Sequence, residues 1–158
     1  MPKSNLPKII TIVGPTASGK TDLAIKMAKR FNGEIVSADS RQIYRGMDIG
    51  TAKPLVKEKD KVFFVNSIPY HLINILTLNQ SFTVADFKRL ALLKIKEILK
   101  RGRLPIVTGG TGLYVKALTE NLKIPHVKAN LKLRAELETK LKQESLAKLF
   151  QELVKLDP

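Results

Sequence analysis

Residues Gly14-Pro15-Thr16-Ala17-Ser18-Gly19-Lys20-Thr21 form a glycine-bounded loop ending in Lys-Thr. An apolar run, Ile9 to Val13, precedes it, and Leu23, Ala24, Met27, Ala28 and Phe31 recur at helical spacing after it, until Asn32-Gly33. Strand, loop and helix in that order make a P-loop, and the full pattern is met. The glycines let successive backbone N–H groups and the helix start face phosphate oxygens. Lys20 adds a mobile positive charge, and Thr21 can ligate Mg²⁺. The loop specifies phosphate, but not which phosphate compound or which reaction.

The rest of the chain alternates in the same way. Glu34 to Ala38 reads as a second strand ending at Asp39, and a glycine-containing connection runs from 40 to 54. Residues 55 to 66 carry no assignable pattern. Tyr70 to Ile75 reads as a third strand, and Thr83 with Asp86 as a capping box for a helix reaching Arg101. Leu104 to Thr108 is a fourth strand running into Gly109-Gly110-Thr111-Gly112 and another helix. This order predicts an α/β fold, a P-loop NTPase-like parallel sheet flanked by helices. From Pro125 onward the character changes to two amphipathic helices, with Leu133, Leu137 and Leu141 on one and Leu146, Leu149, Phe150 and Leu153 on the other.

Asp39 stands at the strand edge where substrates lie in open α/β sheets, so it is a candidate proton acceptor; the same placement suits a turn or cap residue. The glycine run at 109 to 112 lies on the same rim and permits close backbone approach to a ligand, or serves as a tight turn. The fourth strand has no carboxylate where many nucleotide hydrolases hold a metal, which weakens an ATPase reading. His71 and His126 are the two histidines and there is no Cys, so neither counts as a metal ligand.

Charge widens the field without settling it. The chain has 28 Lys and Arg against 14 acidic residues, a net +14. That favours a polyanionic partner, nucleic acid first, although scattered lysines also suit a solvated surface. The polar start, Met1 to Pro7, and the short first apolar run show no export signal and no membrane span, and a chain without cysteine suits a reducing cytoplasm.

Beyond the P-loop, Ser37-Ala38-Asp39-Ser40-Arg41-Gln42-Ile43-Tyr44 and its continuation Arg45-Gly46-Met47-Asp48-Ile49-Gly50-Thr51-Ala52-Lys53-Pro54 resemble the tRNA dimethylallyltransferase family. Tyr70-His71-Leu72-Ile73, Phe82 to Phe87 and Gly109 to Tyr114 match further blocks in order. The resemblance implies transfer of a dimethylallyl group from dimethylallyl diphosphate to the exocyclic amine of the adenine 3′ of the tRNA anticodon, with Mg²⁺ as cofactor.

It further implies that the loop Gly14 to Thr21 holds diphosphate, with Thr16, Lys20 and Thr21 on donor and metal. Asp39 is then the general base, Lys20, Thr21 and Thr111 complete the catalytic set, and Asp39, Ser40, Arg41, Gln42, Thr111 and Arg134 meet the tRNA. Tyr70 and Asn74 depart from the family's frequent His and Asp. Residues 1–124 would be an incomplete catalytic core and 125–158 the start of a helical tRNA-binding insertion, since family members continue well beyond this length. A cytoplasmic monomer is expected. The competing readings are a P-loop small-molecule or nucleotide kinase, in which the loop binds ATP, and a non-catalytic RNA-binding fragment.

Overall fold

The computed structural model describes residues 8–124 and 130–157. The expectations for Met1–Pro7, for the change of character at Pro125 and for His126 fall outside them. The chain divides into two compact units, Met1–Ile124 and Pro125–Pro158.

The first unit is built on a six-stranded sheet ordered β1-β6-β2-β5-β4-β3. The strands are β1 (Ile10–Val13), β2 (Gly33–Ser37), β3 (Lys57–Lys59), β4 (Val62–Val65), β5 (Ile68–His71) and β6 (Leu104–Gly109). Strands β1, β6, β2 and β5 run parallel, whereas β5–β4 and β4–β3 are antiparallel. The expected parallel sheet is present in these four strands, and an antiparallel pair extends it at one edge.

That pair lies in the stretch 55 to 66, left unassigned by the sequence, which forms a hairpin. Asp60-Lys61 turns β3 into β4 at φ 52° and 62°, and Asn66-Ser67 turns β4 into β5 at φ 49° and 67°. Two consecutive left-handed residues make the tight turn whose twist matches paired strands, so the chain folds back twice. Strand β5 is also placed earlier than expected, at Ile68–His71. Leu72 and Asn74 adopt φ 58° and 52° and end it. Beyond it, Asn74, Ile75 and Leu76 donate their N–H groups to Gln42 and Ile43 carbonyls, binding this stretch to the 40–54 connection.

Side-chain alternation assigns the two faces of the sheet. Ile35 and Ile106 pack with Ala24, Ile25 and Ala28 of α1 (Lys20–Arg30). Val36, Ala38 and Val107 pack with Phe87, Ala91, Ile95 and Ile98 of α2 (Val84–Lys100) and with Tyr114 and Leu118 of α3 (Gly112–Thr119). The Phe87 and Tyr114 rings stack at 4.2 Å. Helix α2 starts as the sequence predicts, with the Thr83 side chain accepting from Asp86 N and Asp86 accepting from Thr83 N.

The second unit holds α4 (Leu131–Gln143) and α5 (Leu146–Leu156). Asn130 caps α4 by accepting from Leu133 N at 3.0 Å, and Lys140 reaches Glu152 of α5 at 2.6 Å. No residue of either helix is buried. No helix among the described residues is long and apolar enough to cross a membrane.

Candidate functional site

A cavity of about 230 Å³ opens at the carboxyl ends of the parallel strands, lined by Thr16 to Thr21 and by Asp39, Gln42, Thr51, Tyr70 and Thr108. One side of it is shaped by backbone geometry suited to an anion. Gly19 sits at φ 79° as the N-cap of α1 and no side chain caps the helix, so its first amides are left for a ligand. Lys20 Nζ donates to Pro15 O at 2.6 Å, folding the ammonium back over the loop.

Asp39 is held in place by its own turn. Its Oδ1 accepts from Arg41 N at 2.9 Å and from Gln42 N at 3.2 Å, while Oδ2 accepts no hydrogen bond from the described residues. It is thus a turn residue, as one reading of the sequence had it, that also borders the cavity.

Thr111, at the N-cap of α3, steadies that turn. Its Oγ1 accepts from Ser40 N at 2.9 Å and donates to Ser40 Oγ at 3.3 Å, and its N–H donates to Ala38 O at 3.2 Å. The strands approach so closely here that a Cβ on Gly109 would lie 2.1 Å from Ala38 O. Gly109 is needed for contact between β6 and the Asp39 turn, whereas Thr111 does not line the cavity.

The residues expected to meet RNA differ in their own surroundings. Arg41 is exposed beside the site, and Arg134 is exposed on α4 in the second unit. Gln42 is 7% exposed. Its amide donates to Thr51 O and Ala52 O, so its side chain holds the 40–54 connection against the cavity. Lys53, whose side chain is 2% exposed, continues the latch. It donates to Tyr44 O at 2.6 Å, Asp48 Oδ1 at 2.8 Å and Asn74 Oδ1 at 2.7 Å, which uses all three of its protons.

Three cavity or near-cavity groups escaped the sequence reading. Tyr70, at 2% exposure, forms part of the wall. Burial, then the nearby Asp39 charge, push its phenol well above the ordinary range, with the Thr21 and Ser37 hydroxyls opposing. Ser37 and Thr108 are 2% exposed, and their hydroxyls make no hydrogen bond of normal geometry. Only the strand alternation, Ile35 to Ser37 and Ile106 to Thr108, marked their side of the sheet in the sequence. His71 faces elsewhere, with Nε2 2.6 Å from Glu34 Oε2.

A parallel core whose first strand feeds an uncapped helix through the glycine-bounded loop 14 to 21 places this protein among those with the P-loop NTPase-like fold. Within that class it belongs to the IPP transferase family, whose model matches residues 42–158; an isopentenyl transferase model matches residues 7–67. The tRNA dimethylallyltransferase of Acetivibrio thermocellus is 50% identical over 150 residues, 95% of this chain and 46% of that protein. That of Chloroflexus aggregans is 50% identical over 151 residues, 96% of this chain and 49% of that protein.

Among solved structures, the tRNA isopentenylpyrophosphate transferase of Bacillus halodurans superimposes with a TM-score of 0.67 at 46% identity, covering 96% of this chain and 48% of that one. A eukaryotic dimethylallyltransferase acting on tRNA gives 0.66 at 31% identity, covering 81% and 31%. The chain spans about half the length of the curated relatives it matches.

Proposed function

We propose that this chain supplies the donor-binding and proton-accepting part of an enzyme that moves the dimethylallyl group of dimethylallyl diphosphate onto the exocyclic amine of the adenine 3′ of a tRNA anticodon. The observation that carries the reading is Asp39 fixed by its backbone turn on the same cavity as the anion-binding loop, in a chain of the IPP transferase family.

The chemistry divides between the two sides of the cavity. The loop amides and Lys20 take the diphosphate and stabilise the charge that grows on it as the allylic C–O bond breaks. The adenine nitrogen attacks the freed carbon, and its lone pair is delocalised into the ring, so a proton must leave as the new bond forms. Asp39 accepts it.

The residues present fit a magnesium ion, because Thr21 and Asp39 share a cavity with Thr108, whose buried hydroxyl lacks a partner. Such an ion supplies positive charge to the departing diphosphate. Arg41 beside the site, Arg134 on α4 and the net +14 support an RNA partner, whose adenine must be extruded from the anticodon loop to reach the cavity. Residues 125–158 would begin the helical part that grips the RNA. A monomer acting in the cytoplasm, where tRNA is modified, completes the reading.

Amide hydrogen exchange tests the assignment. Dimethylallyl diphosphate with Mg²⁺ is expected to protect the amides of Gly14 to Thr21, and Asp39→Asn to preserve that protection while abolishing prenyl transfer. Equal protection by ATP together with loss of its γ-phosphate would favour the kinase reading instead, and protection by neither would overturn both.

A further inference from the structure

A second cavity, about 660 Å³ in volume, has no part in the chemistry at the phosphate loop. Helix α2 packs over β2 and β6, and the sheet runs on past it through β5 into the β3–β4 hairpin. The cavity opens in the angle between helix and hairpin, with Phe64 of β4, Leu72 and Ile75 beyond β5, and Leu90 of α2 on its wall. Phe64 and Leu90 are only half-buried, so apolar surface is left facing water. A largely apolar concavity of this size is what a small molecule occupies.

The rim is basic. Lys61, Lys94, Arg101 and Arg103 border the cavity against the carboxylates of Glu34 and Glu97, a surplus of two positive charges. His71 also borders it, and burial lowers its pKa, so the imidazole is neutral in mild alkali. The two arginines are committed, since their bonds to Glu34 balance its buried charge. The lysines are not. The Lys61 ammonium has no partner among the described residues, and Lys94 has Glu97, three residues on, at 2.9 Å. A partly exposed pair of that kind is worth little and yields to a stronger anion.

We propose that this cavity binds an alkyl phosphate monoester, its chain laid against Phe64, Leu72 and Leu90 and its head held by Lys61 and Lys94. A phosphate monoester carries about two negative charges above its second pKa, near 6, and so matches the surplus. A carboxylate leaves one positive charge unmet and an alcohol leaves both. The site is separate from the phosphate loop, although Tyr70 of β5 borders both cavities.

Calorimetric titration at pH 8 with decyl phosphate, decanoate and decanol, each below the concentration at which it aggregates, reads both halves of the ligand. Wild type is expected to bind one decyl phosphate, about tenfold more tightly than decanoate, with decanol weaker again. Replacing both lysines, Lys61→Gln with Lys94→Gln, should cost about tenfold or more for decyl phosphate and leave decanol within about twofold. Leu90→Trp fills the cavity and should abolish binding of all three. Lys20→Met should leave decyl phosphate within about twofold of wild type, which places the probe outside the phosphate loop.

Equal affinities for the three probes, decanoate tighter than decyl phosphate, a loss in Lys20→Met as large as in the double lysine variant, or no binding by a folded wild type would each overturn the proposal. Melting of every free variant accompanies the titrations. Should Leu90→Trp fail to fold, the double lysine variant, altered only at the rim, still decides the outcome. Pyrophosphate binding by wild type, measured separately, reports on the diphosphate reading and has no bearing on this cavity.

Discussion

Strand β2 carries a saturated polar group at one end and starved ones at the other. At its start, Glu34 is 2% exposed, yet both carboxylate oxygens are engaged. Arg101 donates to Oε1 at 3.1 Å and Oε2 at 2.8 Å, Arg103 to Oε1 at 3.3 Å, and His71 lies 2.6 Å from Oε2. At its finish, the neighbouring Thr108 hydroxyl on β6 is buried without a partner and Asp39 spends one oxygen on its own turn. The helix starts repeat the contrast. Helix α2 is closed by the Thr83–Asp86 capping box, whereas α1 begins at Gly19 with no side-chain cap. Groups whose bonds are complete hold the fold together, and those left incomplete sit where a ligand is expected to complete them.

The largest expected effect of breaking this contrast is at the saturated end. Glu34→Ala removes the shared acceptor of two guanidiniums and an imidazole, and the chain should lose about 3 kcal/mol in urea denaturation. The half-exposed arginines keep the cost from being larger, because water reaches them.

Acid should erode the same end in two steps. Burial lowers the His71 pKa from its ordinary 6.5, with Glu34 opposing. Below about pH 6.5 the unfolded chain therefore takes a proton that the folded chain declines, and stability falls. Burial would raise the Glu34 pKa, but the bonds from Arg101 and His71 outweigh it and hold the carboxyl below 4.5. A second loss therefore follows below about pH 4.5. Melting scans from pH 8 to 4 should decline on that schedule in the wild type, and Glu34→Ala should lack the second step.

At the starved end the effect should move from stability to affinity. Lys20→Met is expected to weaken pyrophosphate binding about ten- to a hundredfold in calorimetry, the worth of a charge-assisted contact, while leaving the melting temperature of the free protein nearly unchanged. Thr83→Ala should behave oppositely and more gently. It removes a cap and should cost about 1 kcal/mol of stability with pyrophosphate affinity intact. Equal behaviour of the Lys20 and Thr83 variants in both assays would erase the distinction between closed and open helix starts.

The strand-loop-helix geometry around residues 14 to 21 was legible because it is local. The loop, the strand before it and the helix after it occupy one continuous stretch, and the Thr83–Asp86 cap spans four residues. The β3–β4 hairpin was not legible, since its turns use Asp60-Lys61 and Asn66-Ser67 where no glycine announces a left-handed conformation. The Glu34 cluster escaped for a different reason. Its arginines lie 67 and 69 residues away in sequence, and a single Glu in an apolar run reads as ordinary strand. Gln42 matched a motif position associated with RNA, but only the folded 40–54 connection shows its amide turned inward to Thr51 and Ala52. Tyr70 was noted only as a departure from the family's frequent His, and the β5 register brings it to the cavity wall.

Calorimetric titration of the folded chain with dimethylallyl diphosphate against ATP, both with Mg²⁺, probes the site's preference most directly. Saturable binding of the prenyl diphosphate, competed by inorganic pyrophosphate and at least tenfold tighter than ATP, is the expected result. Tighter binding of ATP, or no heat from the prenyl diphosphate with a folded sample, would contradict it.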